Sequence, residues 1–270
     1  MNTESSRATD PTRRFSNRVE DYIRYRPGYP PEVLDYLTCE FGLAPQHVIA
    51  DVGSGTGILT ELLLRHGNAV LAVEPNAEMR AAAERLLHSF AGFRSVAGTA
   101  ELTTLPAASV DWITAGQAFH WFDVDRTRLE FARILRRGTS GSAGVGWVAL
   151  LWNNRREHTP FLQEYERLLR EFSTDYATIK HQNVESDGRL ARFFGAGAHT
   201  LRTFSNRQLF DFDGLKGRTL SASYMPAEGQ PHHAPMLAAL AQLFAHHAVN
   251  GQVVLEYDTQ VYVGRVGDSA

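Results

Sequence analysis

Apolar residues gather in short, nearly unbroken runs over the first half of the chain. VIADV (48–52), AVLAVE (69–74), FRSVAG (93–98), SVDWITAGQA (109–118) and GWVALLW (146–152) have the length and density of buried strands. Between them, ILTELLLRH, PNAEMRAAAERLLHSF and DVDRTRLEFARILRR are rich in helix formers, and the second is opened by proline and asparagine. Strands that alternate with helices imply a parallel sheet covered on both faces. After Trp152 the pattern changes to helical stretches and loops over residues 160–200. Residues 201–212 and 253–263 then alternate apolar with polar positions, which suits antiparallel pairing, and KGRTLSASY and PMLAALAQLFAHHA between them read as helices. No internal repeat or low-complexity segment interrupts this order, and only the first dozen residues read as disordered. The expectation is one domain carrying an insertion.

Composition narrows the class. A chain of 270 residues, 43% hydrophobic and 21% charged, can bury a core and matches soluble globular proteins. The single cysteine, Cys39, cannot form an intramolecular disulfide, and the opening MNTESSRATDPTRR lacks the apolar run of a secretory signal, so a cytoplasmic location is expected. No stretch reaches the roughly 18 apolar residues of a membrane span. Formal charge is −3, and the arginine pairs Arg13/Arg14, Arg136/Arg137 and Arg155/Arg156 are scattered. A nucleic-acid partner is therefore not expected, and a small-molecule substrate is.

The candidate chemistry begins at DVGSGTG, residues 51–57. Glycine at alternate positions lets a backbone turn tightly and approach a ligand closely. In an open parallel sheet such a loop at the end of the first strand sits where ligands bind, at the topological switch point. Glu74 ends the neighbouring strand, where a carboxylate can accept hydrogen bonds from the two vicinal hydroxyls of a ribose. An ordinary strand-to-helix turn and a solvated strand-end acid are the plain alternatives. Dinucleotide loops follow G-x-G-x-x-G, and isoleucine stands at position 58 where that pattern wants its third glycine. Asp51 would repel a pyrophosphate but suits a cofactor carrying an ammonium and a sulfonium charge, so S-adenosylmethionine fits better than NAD.

Taken in order, D-x-G-x-G-x-G at Asp51 to Gly57, Glu74, the segment Gly98-Thr99-Ala100-Glu101 and Asp111 resemble the class I S-adenosylmethionine-dependent methyltransferases over roughly residues 45–152. FSNRVEDYIRYRPGYP (15–30) and QAFHWFD (117–123) are similar to the trans-aconitate methyltransferase-like branch. The resemblance implies a Rossmann-like α/β fold with a seven-stranded, mostly parallel sheet, an antiparallel C-terminal strand and helices on both faces. Residues 1–44 would form an N-terminal helical lid. Residues 45–270 would be the methyltransferase domain, with a substrate-side insertion at about 153–200.

By the same resemblance, Gly53, Ser54, Gly55 and Gly57 would run under the methionine part of S-adenosylmethionine, Glu74 would hold the ribose with Pro75 beside it, and Ala100 and Glu101 would lie by the adenine. Gln117 would approach the amino acid end, and Met79 could wall the adenine or simply belong to the core. Tyr22 and Arg26 are candidates to clamp a carboxylate of cofactor or substrate. His120 and Trp121 stand where the fold presents groups to the methyl acceptor. His120 could remove a proton, orient an ionised carboxylate, or hold the strand–helix junction. The histidines His158, His181, His199, His232, His233, His246 and His247 lack a completing ligand set, so no metal site is expected. Trp147, Trp152 and Phe161 suit the core or a substrate wall. The expected activity is O-methylation of a carboxylate or hydroxyl on a small molecule, releasing S-adenosylhomocysteine. N- or C-methylation of a metabolite and a cofactor-binding protein without methyl transfer are the alternatives, NAD-dependent oxidation comes last, and the oligomeric state stays open.

Overall fold

The computed structural model of the chain describes residues 23–136, 146–173, 188–195 and 198–266. Tyr22, Arg13, Arg14, Arg137, His181, the opening dozen residues and part of the expected insertion lie outside the described residues.

Seven strands form one sheet in the order β3-β2-β1-β4-β5-β7-β6. They are β1 Val48–Val52, β2 Ala69–Val73, β3 Phe93–Val96, β4 Trp112–Gly116, β5 Trp147–Arg155, β6 His199–Phe210 and β7 Val253–Gly264. The first five pair in parallel, and β7 runs antiparallel to both β5 and β6. Chain order reverses between β1 and β4, which creates the crevice at the carboxyl ends of the strands where open sheets bind ligands.

Alternate residues on each central strand face opposite sides. Ala50, Val52, Ile113, Ala115, Val148 and Leu150 pack with Phe131 and Ile134 of the Val124–Ile134 helix and with Phe193 and Phe194 of the Arg189–Phe194 helix. Ile49, Trp112, Ala149 and Leu151 face the other way, onto Val33 and Leu37 of the Glu32–Phe41 helix and Leu59 and Leu63 of the Ile58–His66 helix. These strands read as continuous apolar runs because both of their faces are covered.

A second lobe is built beyond the carboxyl end of β5. The far halves of β6 and β7 carry Phe210, Val253, Leu255 and Tyr257 into a separate apolar cluster with the helices Pro160–Phe172, Phe212–Leu220 and His233–His247. Local polar groups set the boundaries. The alternating pattern at 201–212 predicts a strand reaching Phe212, but β6 stops at Phe210 because Asp211 caps the next helix, its Oδ1 accepting from the Gly214 N–H at 2.8 Å. That helix starts earlier than KGRTLSASY suggests and ends at Leu220. β4 is likewise shorter than its apolar run, with Val110 making only an isolated bridge to Leu135. Trp152 and Phe161 are core residues of the two lobes. No helix among the described residues is long and apolar enough to cross a membrane.

Candidate active site

The loop after β1 is held in shape by its own backbone. Gly53, Gly55 and Gly57 have φ of 70°, 57° and 90°, a region that favours glycine. The N–H groups of Gly53 and Ser54 both donate to the Val73 carbonyl, at 2.8 and 3.2 Å, which ties the loop to the end of β2. A Cβ at Gly53 would lie 2.5 Å from that of Ala118, and one at Gly57 would lie 2.6 Å from Leu87 Cδ1. At Gly55 a Cβ would meet nothing within 4 Å among the described residues. The hydroxyls of Ser54 and Thr56 are buried and have no hydrogen-bond partner among the described residues. A buried, unsatisfied hydroxyl is unfavourable, and here two flank the open glycine.

Glu74 stands at the lip of this loop. One carboxylate oxygen accepts from the Gly55 N–H at 2.9 Å and the other from the Asn76 N–H at 2.8 Å. Burial raises its pKa above the usual carboxylate value, and the two N–H donors and Arg80 oppose that rise. Each oxygen retains a second lone pair for an incoming hydroxyl. Asn76 caps the Ala77–Leu87 helix through the N–H groups of Glu78 and Met79, so the acid and the helix start form one unit. Met79 is buried and Pro75 is exposed.

Asp51 is fully buried one strand away. Its carboxylate accepts from Thr60 Oγ1 at 2.6 Å and from Thr114 Oγ1 at 2.9 Å, which locks β1, β4 and the helix after the loop together. Burial pushes its pKa up to about 6; the threonine hydroxyls resist this and the charge of Glu74 adds to it. Ala100 is buried, and Glu101 accepts from the Asp123 N–H at 2.9 Å, at the N-cap of the Val124–Ile134 helix. Asp111 lies at the amino end of β4, away from the crevice. It accepts from the Val48 N–H at 2.8 Å and from Arg136 at 2.9 Å, so this motif residue holds the sheet rather than the site.

Gln117 leaves β4 with φ of 56°, an uncommon conformation for a residue with a Cβ. Its Nε2 donates to the Asn153 carbonyl at 3.2 Å. The N-terminal segment crosses here. The Gly28 carbonyl accepts from the side-chain amides of Asn153 at 3.1 Å and Asn206 at 2.8 Å, and Gln208 donates to the Tyr25 carbonyl. Arg26 donates to the Ser221 carbonyl of the second lobe at 3.0 Å. The segment therefore lies between the sheet ends and that lobe. Asn153 and Asn206 were not singled out by sequence. Asn153 had a signal, being the first polar residue after the apolar run of β5; Asn206, in the middle of β6, had none.

Tyr25 also packs against Gly217, where a Cβ would meet the ring at 2.0 Å. Alanine for glycine inside a helix ordinarily stabilises by about 1 kcal/mol. Gly217→Ala is expected to do the reverse, lowering the unfolding temperature through overpacking of about 1–3 kcal/mol. Faster hydrogen exchange at residues 23–30 in the variant would locate the damage, and a raised unfolding temperature would sink the prediction.

His120 and Trp121 sit on the 3-10 turn Phe119–Trp121, with ring centroids 4.9 Å apart. Arg189, which sequence reasoning missed, clamps this turn from the other side by donating to the carbonyls of Phe119 at 3.1 Å and Phe122 at 2.5 Å. Burial, with the nearby Arg189 charge, holds the His120 pKa down at about 4. Among the described residues no three His, Cys, Asp or Glu side chains come together as a metal site.

A glycine loop at the switch point with an acid at the end of the next strand is an arrangement that can hold a nucleoside. Residues 50–141 match the family model described as a methyltransferase domain, and the strands and helices that carry this stretch form a Rossmann-like α/β fold. An uncharacterized methyltransferase of Mycobacterium tuberculosis is 36% identical over 57% of this chain and 58% of its own length. One from Schizosaccharomyces pombe is 30% identical over 58% and 59%. The chain thus aligns with less than two thirds of these relatives. Among solved structures, that of a candidate type II methyltransferase from Anaeromyxobacter dehalogenans superposes over 90% of this chain and 98% of its own, with a TM-score of 0.64 and 24% identity.

Proposed function

We propose that the protein transfers the methyl group of S-adenosylmethionine to an oxygen of a small-molecule acceptor. The observation that carries the reading is the coupling of Glu74 to the Gly55 N–H beside two unpartnered buried hydroxyls, Ser54 and Thr56. A ligand with vicinal hydroxyls for Glu74 and polar groups for the loop satisfies all of these at once, and the methyltransferase domain match agrees with it. When bound, S-adenosylmethionine supplies an electrophilic methyl group on a positively charged sulfur. The chain's own task is alignment, which can supply roughly 7–11 kcal/mol of barrier reduction. In this reading the glycine loop runs under the methionine part, Glu74 holds the ribose, Ala100, Glu101 and Met79 border the adenine, and Gln117 approaches the amino acid end. In this reading residues 1–44 act as a lid, and the insertion at about 153–200 borders the acceptor.

His120 stays neutral at pH 7 because its pKa is held near 4. A base that weak cannot draw a proton from a hydroxyl of ordinary acidity, but it can accept a hydrogen bond and orient an acceptor that is already ionised. The geometry therefore favours a carboxylate oxygen over a neutral alcohol. His120→Ala is expected to lower turnover only about tenfold, below the 10²- to 10⁴-fold of general acid–base catalysis. The histidine should also impose no pH dependence between pH 6 and 8. An inflection near pH 6.5 that disappears in the variant would contradict this assignment. The direct test of the cofactor is calorimetric titration with S-adenosylhomocysteine, with NADH as control. Binding of NADH alone would overturn the proposal.

A further inference from the structure

The second lobe buries a cation that no described residue neutralises. Arg218, on the Phe212–Leu220 helix, is only 6% exposed. Its Nε donates to the Tyr257 hydroxyl at 3.3 Å, and that hydroxyl donates in turn to Gln208 Oε1 at 3.0 Å. Among the described residues no carboxylate lies within ion-pair distance of Arg218, and its two terminal nitrogens have no acceptor. Its immediate neighbours Tyr165, Tyr224 and Tyr257 bring phenol groups and no carboxylate, and Arg155 is a second cation. Arg155 shares the buried Glu166 with Arg170, and Glu157 lies 3.9 Å from Arg170, so two carboxylates face these two cations. One positive charge is left over, on a group that cannot lose its proton.

The position of Arg218 gives that charge a use. Tyr257 pairs with Arg155 on β5, two residues beyond Asn153, whose carbonyl and amide contact Gln117 and Gly28. Gly217 and Ser221, on either side of Arg218, touch Tyr25 and Arg26 of the N-terminal segment. Arg218 therefore borders the acceptor side of the crevice, where an unmatched buried guanidinium lowers stability until an anion joins it.

We propose that Arg218 anchors a carboxylate of the methyl acceptor through its two terminal nitrogens. The proposal deepens, and rests on, the reading of the chain as a small-molecule methyltransferase. A single surplus charge matches a carboxylate, whereas a phosphate dianion would leave negative charge buried.

The test is binding of benzoate, phenylacetate, succinate and fumarate to the intact protein, with the corresponding neutral amides and inorganic phosphate as comparisons. At least one acid binds the wild type, and its amide binds about tenfold more weakly or worse. Arg218→Met weakens the acid by about tenfold or more and Arg218→Lys by less. Arg218→Met also keeps its affinity for S-adenosylhomocysteine within about twofold and unfolds at the same or a higher temperature, because an unmatched buried charge has been removed. The proposal falls if no acid binds, if amide or phosphate binds as well as acid, or if Arg218→Met binds the acid like wild type. It falls equally if Arg218→Met and Arg218→Gln both fail to fold, since Arg218 would then be structural. Wild type that binds acids as described but not S-adenosylhomocysteine keeps the carboxylate site and removes the methyltransferase reading.

Discussion

Glu74→Ala is expected to abolish measurable binding of S-adenosylhomocysteine while the protein remains folded. Each hydrogen bond to a charged acceptor contributes about 1.5–3 kcal/mol, so losing two ribose hydroxyls weakens binding by roughly 10²- to 10⁴-fold. The carboxylate does more than receive the ligand. It also fixes the Gly55 and Asn76 N–H groups, so its removal loosens the open glycine at the same time. Glu74→Gln separates the two effects, because an amide keeps one acceptor oxygen and most of the shape; an intermediate loss of about 10- to 100-fold is expected. Titration of both variants, with their unfolding temperatures measured alongside, decides the matter. Wild-type affinity in Glu74→Ala would show that the acid does not hold a ribose.

Asp51→Asn is expected to make the protein more stable at neutral pH and a poorer binder. The folded-state pKa of Asp51 is raised from 3.8 to about 6. Between those values the folded chain holds more protons than the unfolded chain, so stability falls as pH rises through the window and is level above it. At about 1.4 kcal/mol per pKa unit, the ionised, buried carboxylate lowers stability by roughly 3 kcal/mol at pH 7. Asparagine removes that charge, and rotation of the Thr60 and Thr114 hydroxyls can still satisfy its amide. Asp51→Asn should therefore gain up to about 3 kcal/mol at pH 7, with the gain shrinking as pH falls from about 6 and mostly lost by about pH 4. A ligand ammonium would lose the attraction of the carboxylate, so affinity for S-adenosylhomocysteine should fall. Urea unfolding at pH 4 and pH 7, paired with titration, reads both effects. A variant that is less stable at pH 7 with unchanged affinity would make Asp51 a purely structural acid.

The parallel half of the fold was legible because strands covered on both faces leave unbroken apolar runs, and because Asn76 and Asp123 are strong local start signals for helices. The cofactor side of the candidate site was legible for a related reason: Asp51, the glycines and Glu74 lie at strand ends, where position in sequence nearly fixes position in space. Asp111 shows where that logic stops, since a motif acid at the opposite strand end turned out to hold Val48 and Arg136. The acceptor side was not legible. Arg189 reaches the His120 turn across 70 residues of chain, and nothing around it in sequence marks that contact. Arg218 sits in KGRTLSASY, which reads as an ordinary polar helix, and Tyr165 and Tyr257 come beside it from distant parts of the chain.

β6 and β7 pair without interruption from His199↔Gly264 to Phe210↔Val253. One end of this hairpin completes the sheet, and the other forms a wall of the second lobe. Transplanting the helices between β5 and β7 into another chain would cut across a continuous ladder and separate Tyr257 from Arg218. A chimaera meant to exchange acceptor preference should therefore carry residues 156–264 as a single block, so that β6 and β7 stay together, with residues 23–30 moved alongside because Gly28 is held by Asn206. The cofactor half could then remain that of the host.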